Sequence, residues 1–428
     1  MYKIFQIFLF IILSWNVLAV DIDSAIKSTV ENNLKVKIAL EKINESRELI
    51  QNAYGSKLPT VTSTISGTYS NTDKTTSTAS TTPETFTDNY KITMSKNLYD
   101  AGYNDLEIER SKILFDDEII NFKITIQDLI LNAIEGYLSV INFEQSLEST
   151  KKNYDSVTKA LDETKTRYDL GSATLYDLQN AESGFVVATT NLFAAEQNVK
   201  ISKKSFQRIV GINANNLEDV IEIDTSLNLS NLINNAFNNN LNLLLIQNDI
   251  KNKQISVLKE KKLKKPNLDI TGTAQYSDSG RLDSGTESTE GSFALTLTVP
   301  LFQQGKDNSN IRKYQSQILQ AEMNFEDFRE ELKILILNTY KDFKVSEASM
   351  SSNSAVIIAT ETALDSLRQE YDIGTKTISE LVEEEGKLLS SRVDYLNSKK
   401  QFILNYYKIK SLEGDLINIF NDYIPTIN

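Results

Sequence analysis

Carboxylates supply most of the reactive capacity of this sequence. The 428-residue chain holds 58 Asp and Glu against 45 Lys and Arg, a formal net charge of −13, and has neither histidine nor cysteine. Thiolate nucleophiles, Ser-His-Asp triads and thiolate or imidazole metal sites are therefore excluded. No disulfide can form. The acidic balance argues against nucleic acid as a partner, because binding phosphates requires clustered Lys and Arg. A carboxylate pair could still serve as acid and base in a hydrolase. Such a pair needs a shaped cleft, which long amphipathic helices do not offer, and no aromatic cluster for stacking sugars accompanies one. One acidic group is Glu380, Glu383 and Glu384, which share one helical face by their i, i+3, i+4 spacing. Taken alone, Glu383 to Glu385 reads as a solvated charge run. No catalytic residue, metal or cofactor is expected.

The elements that position these residues are written twice. Asn33-Leu34, Pro59 and Tyr69-Ser70 recur 207 residues later as Asn240-Leu241, Pro266 and Tyr276-Ser277. Leu98-Tyr-Asp-Ala-Gly102, Tyr137 and Tyr168-Asp-Leu-Gly171-Ser-Ala-Thr174 recur 203 residues later as Leu301-Phe-Gln-Gln-Gly305, Tyr340 and Tyr371-Asp-Ile-Gly374-Thr-Lys-Thr377. A period near 205 is duplication of a whole module, not a short solenoid. The change of offset between the strands reads as a loop-length difference. The division is then a signal peptide over 1–19, a first repeat over 20–230 and a second over 231–428. Lys3, the apolar run Ile4 to Leu13 and Val17-Leu18-Ala19 have the layout of a secretory signal. That run is well short of the ~20 residues of a bilayer span, and no later window is long enough either.

Within each repeat the hydrophobic period changes. About Ile22 to Tyr54 reads as one helix ending before Pro59. Two hairpins follow this pattern, over 59–99 and 266–301, with strands of about ten residues. Val61, Ile65, Gly67 and Tyr69 oppose a Thr/Ser face, as do Tyr90, Ile92, Met94 and Leu98. Leu268, Ile270, Gly272, Ala274 and Tyr276 form a third apolar face, and Phe293, Leu295, Leu297, Val299 and Leu301 a fourth. Asn71 to Thr87 and Ser277 to Glu290 read as exposed loops. An apolar face backed by Thr and Ser, with no soluble core partner in sequence, suits a membrane barrel strand with lipid outside and water inside. Four strands cannot close a barrel, since the smallest has about eight, so several chains must share one.

Proline-free helices of about 68 residues follow, over Ala101 to Tyr168 and Gly305 to Tyr371, each ~100 Å long. Ile113, Ile120, Ile134 and Ile141 keep a seven-residue step, as do Ile124, Leu131 and Leu138. Phe115, Phe122, Leu129 and Phe143 form a third row. Rows on several flanks predict neighbours on more than one side. Gly171 and Gly374 then end the helices as left-handed caps and make sharp helical hairpins. The Asn-rich stretch Asn231 to Asn248 reads as compositional bias on a helix.

These features together resemble the TolC-like outer-membrane factor family. The matching residues are the duplication, Leu58-Pro59 with its counterpart Lys265-Pro266, the Leu98 to Gly102 and Leu301 to Gly305 motifs, and both glycine hairpins through Asp177 and Glu380. The resemblance implies an α+β membrane protein. It implies a homotrimer in which four strands per chain make a twelve-stranded β-barrel, continued by a long α-helical barrel in the periplasm. It implies an exit duct of a tripartite efflux pump or type I secretion system in the outer membrane. Its partners would be a periplasmic adaptor docking at the Gly171 and Gly374 tips, and an inner-membrane pump. It further implies gate links among Asp177, Tyr371 and Lys376, the last replacing an Arg and so losing its bidentate geometry. Glu380 and Glu383 would form an acidic constriction ring that favours cations. The alternative is a structural or adhesive coiled-coil protein of the envelope, which explains the heptads but not the strands.

Overall fold

The computed structural model describes residues 20–71, 74–76, 79–81, 84–219, 223–281 and 285–425; the segment read as a signal peptide lies outside them. The first half runs α1 (Ile22–Asn32), α2 (Leu34–Gly55), β1 (Thr60–Asn71), β2 (Lys74–Thr76), β3 (Ala79–Thr81), β4 (Glu84–Tyr99), α3 (Tyr103–Asp169) and α4 (Leu175–Val210). The second runs α5 (Leu229–Asn239), α6 (Leu241–Lys262), β5 (Asn267–Arg281), β6 (Thr286–Thr298), α7 (Lys306–Asp372) and α8 (Ile378–Glu413), followed by a short α9 (Leu416–Ile419) and a 3₁₀ turn. Duplication is visible in the helix lengths: 11, 22, 67 and 36 residues in the first half and the same four in the second.

Two expectations are corrected by local chemistry. The first helix is not continuous, because Asn33 is extended between α1 and α2. Its Oδ1 accepts from Lys35 N at 3.0 Å and its Nδ2 donates to Ile209 O at 3.4 Å, near the end of α4. Asn240 breaks α5 from α6 in the same way and donates to Leu412 O at 3.0 Å, near the end of α8. The Asn-Leu pairs of the repeat thus mark helix breaks tied to a neighbouring helix end. The expected loops are also too long. The strands continue from β1 through Asn71, resume at Glu84, and run in β5 to Arg281 and in β6 from Thr286.

Each half turns from strand to helix through two successive left-handed residues, Ala101-Gly102 and Gln304-Gly305. The Asp100 carboxylate holds the first turn by accepting from Gly102 N and Asn104 N, both at 2.8 Å.

The described residues divide into two compact units, each drawing on both repeats: those within 20–37, 123–240 and 330–425 in one, and those within 38–122 and 241–329 in the other. In the first, all members of the α3 heptad rows it contains are buried or half-buried. Tyr137 packs its ring against Phe206 and donates to Val20 O and Glu218 O at 2.8 and 2.7 Å. Burial pushes its phenol up to about 12. Its counterpart Tyr340 donates to Leu227 O, so each tyrosine pins a connecting segment. One 18-residue window of α3 is apolar enough to cross a membrane by composition, but 56% of it is buried inside the chain, as in a core helix.

The second unit carries an antiparallel sheet in the order β1-β4-β5-β6. Register keeps the two faces apart. Tyr90 lies opposite Ile65 and Tyr276, and Phe293 opposite Gly272, whereas Thr93 pairs with Thr62 and Thr273. A Cβ on Gly272 would sit 2.9 Å from the Phe293 ring, so the glycine makes room for it. Phe293 is 91% exposed, and Val61, Ile65, Leu295 and Leu297 on the same face are also exposed. Among the described residues β1 and β6 each have one strand neighbour, which leaves both outer edges open.

Candidate functional site

The two helical hairpins are built by the same local rules. Gly171 and Gly374 sit at φ +75° and +81°, where an L side chain is strained. Each lets the chain fold back, with Ser172 N donating to Arg167 O at 2.7 Å and Thr375 N to Glu370 O at 2.9 Å. Thr174 and Thr377 then cap α4 and α8 through reciprocal capping boxes closed by Asp177 and Glu380. Sequence spacing alone carries this signal, since each Thr stands three residues before an acid.

The implied gate residues have other partners within one chain. Asp177 spends its carboxylate on Thr174, accepting from its N at 3.0 Å and its Oγ1 at 2.7 Å. Lys376 donates to Glu380 Oε1 at 2.8 Å. Tyr371 is buried, with its hydroxyl 3.2 Å from Thr164 Oγ1. What the fold brings together is Lys376 with Glu380, the implied gate base with an implied ring acid. Lys376 and the Thr377 amide and hydroxyl hold the Glu380 carboxyl down at about 2. Glu383 pairs with Lys387 at 2.9 Å, and Lys387 also reaches Glu384 at 3.3 Å. The acidic face therefore carries two lysines among its three acids. Spacing of i, i+4 from Lys376 and back from Lys387 could have revealed this, but counting acids did not.

Arg167 on α3 is the missed tip residue. Its guanidinium lies 4.5 Å from the Tyr371 ring centre, donates to Tyr371 O at 3.4 Å and approaches Asp372 at 3.8 Å. The repeat hides it, because the matching position 203 residues on is Glu370. Behind it lies an apolar cluster that includes Leu161, Ala181, Leu364, Ile378, Leu381 and Leu388.

Glu385, read as part of a solvated run, is buried. Its carboxylate accepts from Arg368 and Ser156, both at 2.5 Å, and Asn153 donates to its carbonyl at 3.2 Å. Arg392 pairs with Glu361 at 2.7 Å along the same polar cleft of about 310 Å³. Removing Arg368, itself about half exposed, would leave the buried Glu385 carboxylate without its cation. The cleft joins α3, α7 and α8 just behind the tips. The Asn-rich stretch also has structural work: Asn235 donates to Glu413, and Asn248 to Asp117 at 2.7 Å. Among the described residues no group of three or more acids is placed to hold a metal.

A sheet with an exposed apolar face and, among the described residues, two open edges, in a chain with duplicated hairpins of very long helices, is the pattern of an outer-membrane channel protein. The chain belongs to the outer membrane efflux protein family, whose sequence model matches residues 25–212 and 232–414. It is 22% identical over 397 residues to outer membrane protein TolC of Escherichia coli (strain K12), an alignment covering 88% of this chain and 77% of that one. Its fold matches the Campylobacter jejuni CmeC outer membrane channel at a TM-score of 0.79 and 15% identity, over 95% of this chain and 90% of that one. It matches the outer membrane protein VceC from Vibrio cholerae at a TM-score of 0.74 and 14% identity, over 92% and 96%. The protein is an outer-membrane efflux channel component, in a family of channels rather than enzymes.

Proposed function

We propose that three copies of this chain form a passive exit duct for a tripartite efflux pump or type I secretion system. The carrying observation is the open four-stranded sheet: edges β1 and β6 are unpaired among the described residues, and one face is apolar and exposed. Lipid satisfies the face, and neighbouring copies satisfy the edges, giving a closed barrel of about twelve strands. The helices continue into the periplasm, where an adaptor packs on the Gly171 and Gly374 hairpins. Adaptor docking separates the tips, biasing a two-state element between closed and open. Asp177, Tyr371 and Lys376 contribute closed-state contacts between hairpins, and Glu380 and Glu383 narrow the entrance.

The chain contains no cysteine, so paired substitutions scanned along β1 and β6 test the barrel cleanly. Oxidation should yield covalent trimers and no larger ladder; monomers at every pair would refute the shared barrel. Tyr371→Phe with Lys376→Ser should raise conductance in planar bilayers, and unchanged conductance removes these residues from the gate.

A further inference from the structure

One run of sequence has no role in a duct. From the last residues of α6 into the connection to β5 the chain reads Lys261-Lys262-Leu263-Lys264-Lys265-Pro266. Four lysines in five residues are conspicuous in a chain of net charge −13. Cations in the last turn of α6 complement its dipole, which accounts for Lys259, Lys261 and Lys262. Lys264 and Lys265 lie past the helix end. Internal ion pairing does not explain the run either. Neighbouring Lys57 and Lys259 pair with Asp105 and Glu107, and Lys264 reaches Asn308. Among the described residues Lys261, Lys262 and Lys265 enter no ion pair.

Strand register shows what surrounds the run. Thr60 pairs with Ser95, Asn97 with Asp269 and Asn267 with Thr298, so Leu58, Lys96, Leu98 and Leu301 belong to the same end of the sheet as Lys265. Lys96 lies opposite Ile270, on the apolar face, two residues beyond Met94. Leu263 within the basic run is half exposed, and Leu301 and Phe302 are 92% and 82% exposed. On the opposite face, Asn97 is already bonded to Asn267 and to Asp269. The apolar face therefore ends in exposed hydrophobic side chains, with Lys96 on that face and the run Lys261 to Lys265 at the same end of the sheet.

We propose that this end of the sheet binds anionic phospholipid headgroups of the leaflet nearest the helices, with Lys96 and Lys261 to Lys265 on the phosphates and Leu263 among the acyl chains. This rests on the lipid-facing reading of the sheet. Lysine stems lie along apolar surface while their ammonium groups reach the headgroup layer. A basic cluster next to inserted hydrophobic side chains gains from both terms. Charge complementarity selects phospholipid phosphate, because the run is continuous with a face that itself requires lipid.

The test uses the full chain in non-ionic detergent, with native mass spectrometry counting bound short-chain phosphatidylglycerol, phosphatidylcholine or inorganic phosphate. Wild type should retain phosphatidylglycerol preferentially. Each lysine near a charged lipid surface is worth roughly a fivefold change in binding. Lys261→Gln, Lys262→Gln, Lys264→Gln and Lys265→Gln together should lower that retention by roughly a hundredfold or more. Lys264→Gln with Lys265→Gln, a milder change, should lower it by more than tenfold. Removing the same charge at Lys151, Lys165, Lys200 and Lys204 should change nothing. Equal retention by the run variants and wild type overturns the proposal, as does competition by inorganic phosphate at matched concentration. Carbonate extraction separates the two readings. Wild type washed from membranes defeats the membrane assignment, whereas an integral protein indifferent to headgroup charge defeats only the lysine site.

Discussion

Arg167 holds Tyr371 by its ring, its carbonyl and its neighbour Asp372, so one side chain of α3 fixes the last turn of α7. A cation over an aromatic ring contributes about 1 kcal/mol when partly exposed. Arg167→Ala should speed hydrogen exchange of amides 368–376 about fivefold, while exchange in the strands stays unchanged. Arg167→Lys should recover only part of the protection, since an ammonium lacks the planar fork. Glu380 sets a pH limit on the opposite hairpin. Its carboxyl is held at about 2 against an ordinary 4.5, so its contribution is complete above 4.5 and lost as pH falls through about 2. A carboxyl ¹³C titration should therefore show Glu380 ionised at pH 3.5, with the Lys376 contact intact. A midpoint near 4.5 would mean that the capping box and ion pair do not form.

At the scale of elements, the helix pairs depend on a few close approaches and side-chain locks. Gly184 on α4 admits Val382 of α8, and a Cβ there would lie 2.7 Å from Val382 Cγ1. Gly184→Ala should cost about 1–3 kcal/mol by overpacking, and Val382→Ala added to it should restore part of the loss. Additive losses in thermal melts would show that the two positions do not touch. The Asn33 and Asn240 locks are hydrogen bonds to the ends of α4 and α8, the latter from a buried side chain. Asn240→Ala should cost roughly 1–3 kcal/mol, because Leu412 O loses its partner, and Asn33→Ala less, its bond being longer. Equal losses in denaturant midpoints would contradict the geometry. These breaks were legible only as repeated letters. An Asn inside an amphipathic stretch has an ordinary helix propensity, and its carbonyl partner is 176 residues away in the first case.

For the whole molecule, the shared barrel proposed above makes assembly a condition of stability. A hydrophobic face and two free edges are tolerated neither in water nor singly in lipid. Dilution of detergent-solubilised protein should therefore yield trimers and aggregate but no stable monomer, as measured by light scattering. A monodisperse folded monomer would contradict the shared barrel. The compact units cut across the repeats, each built from both halves of the chain. The period near 205 could not show this, because a repeat reports descent along the chain and not which segments pack together.

The sequence by itself determined the element types, their order and the duplication. Period-2 and heptad patterns, Thr-x-x-acid caps and left-handed glycines are local signals that need no partner to be read. It also excluded Cys and His chemistry outright. Tertiary structure decided which charges survive. Glu385 is buried on Arg368 and Arg167 clasps Tyr371, whereas the lysines that match Glu380 and Glu383 stand four residues away in sequence. The reason is physical: a charge's environment depends on burial and on partners hundreds of residues away, as Ser156 and Glu385 are, and no local period encodes that.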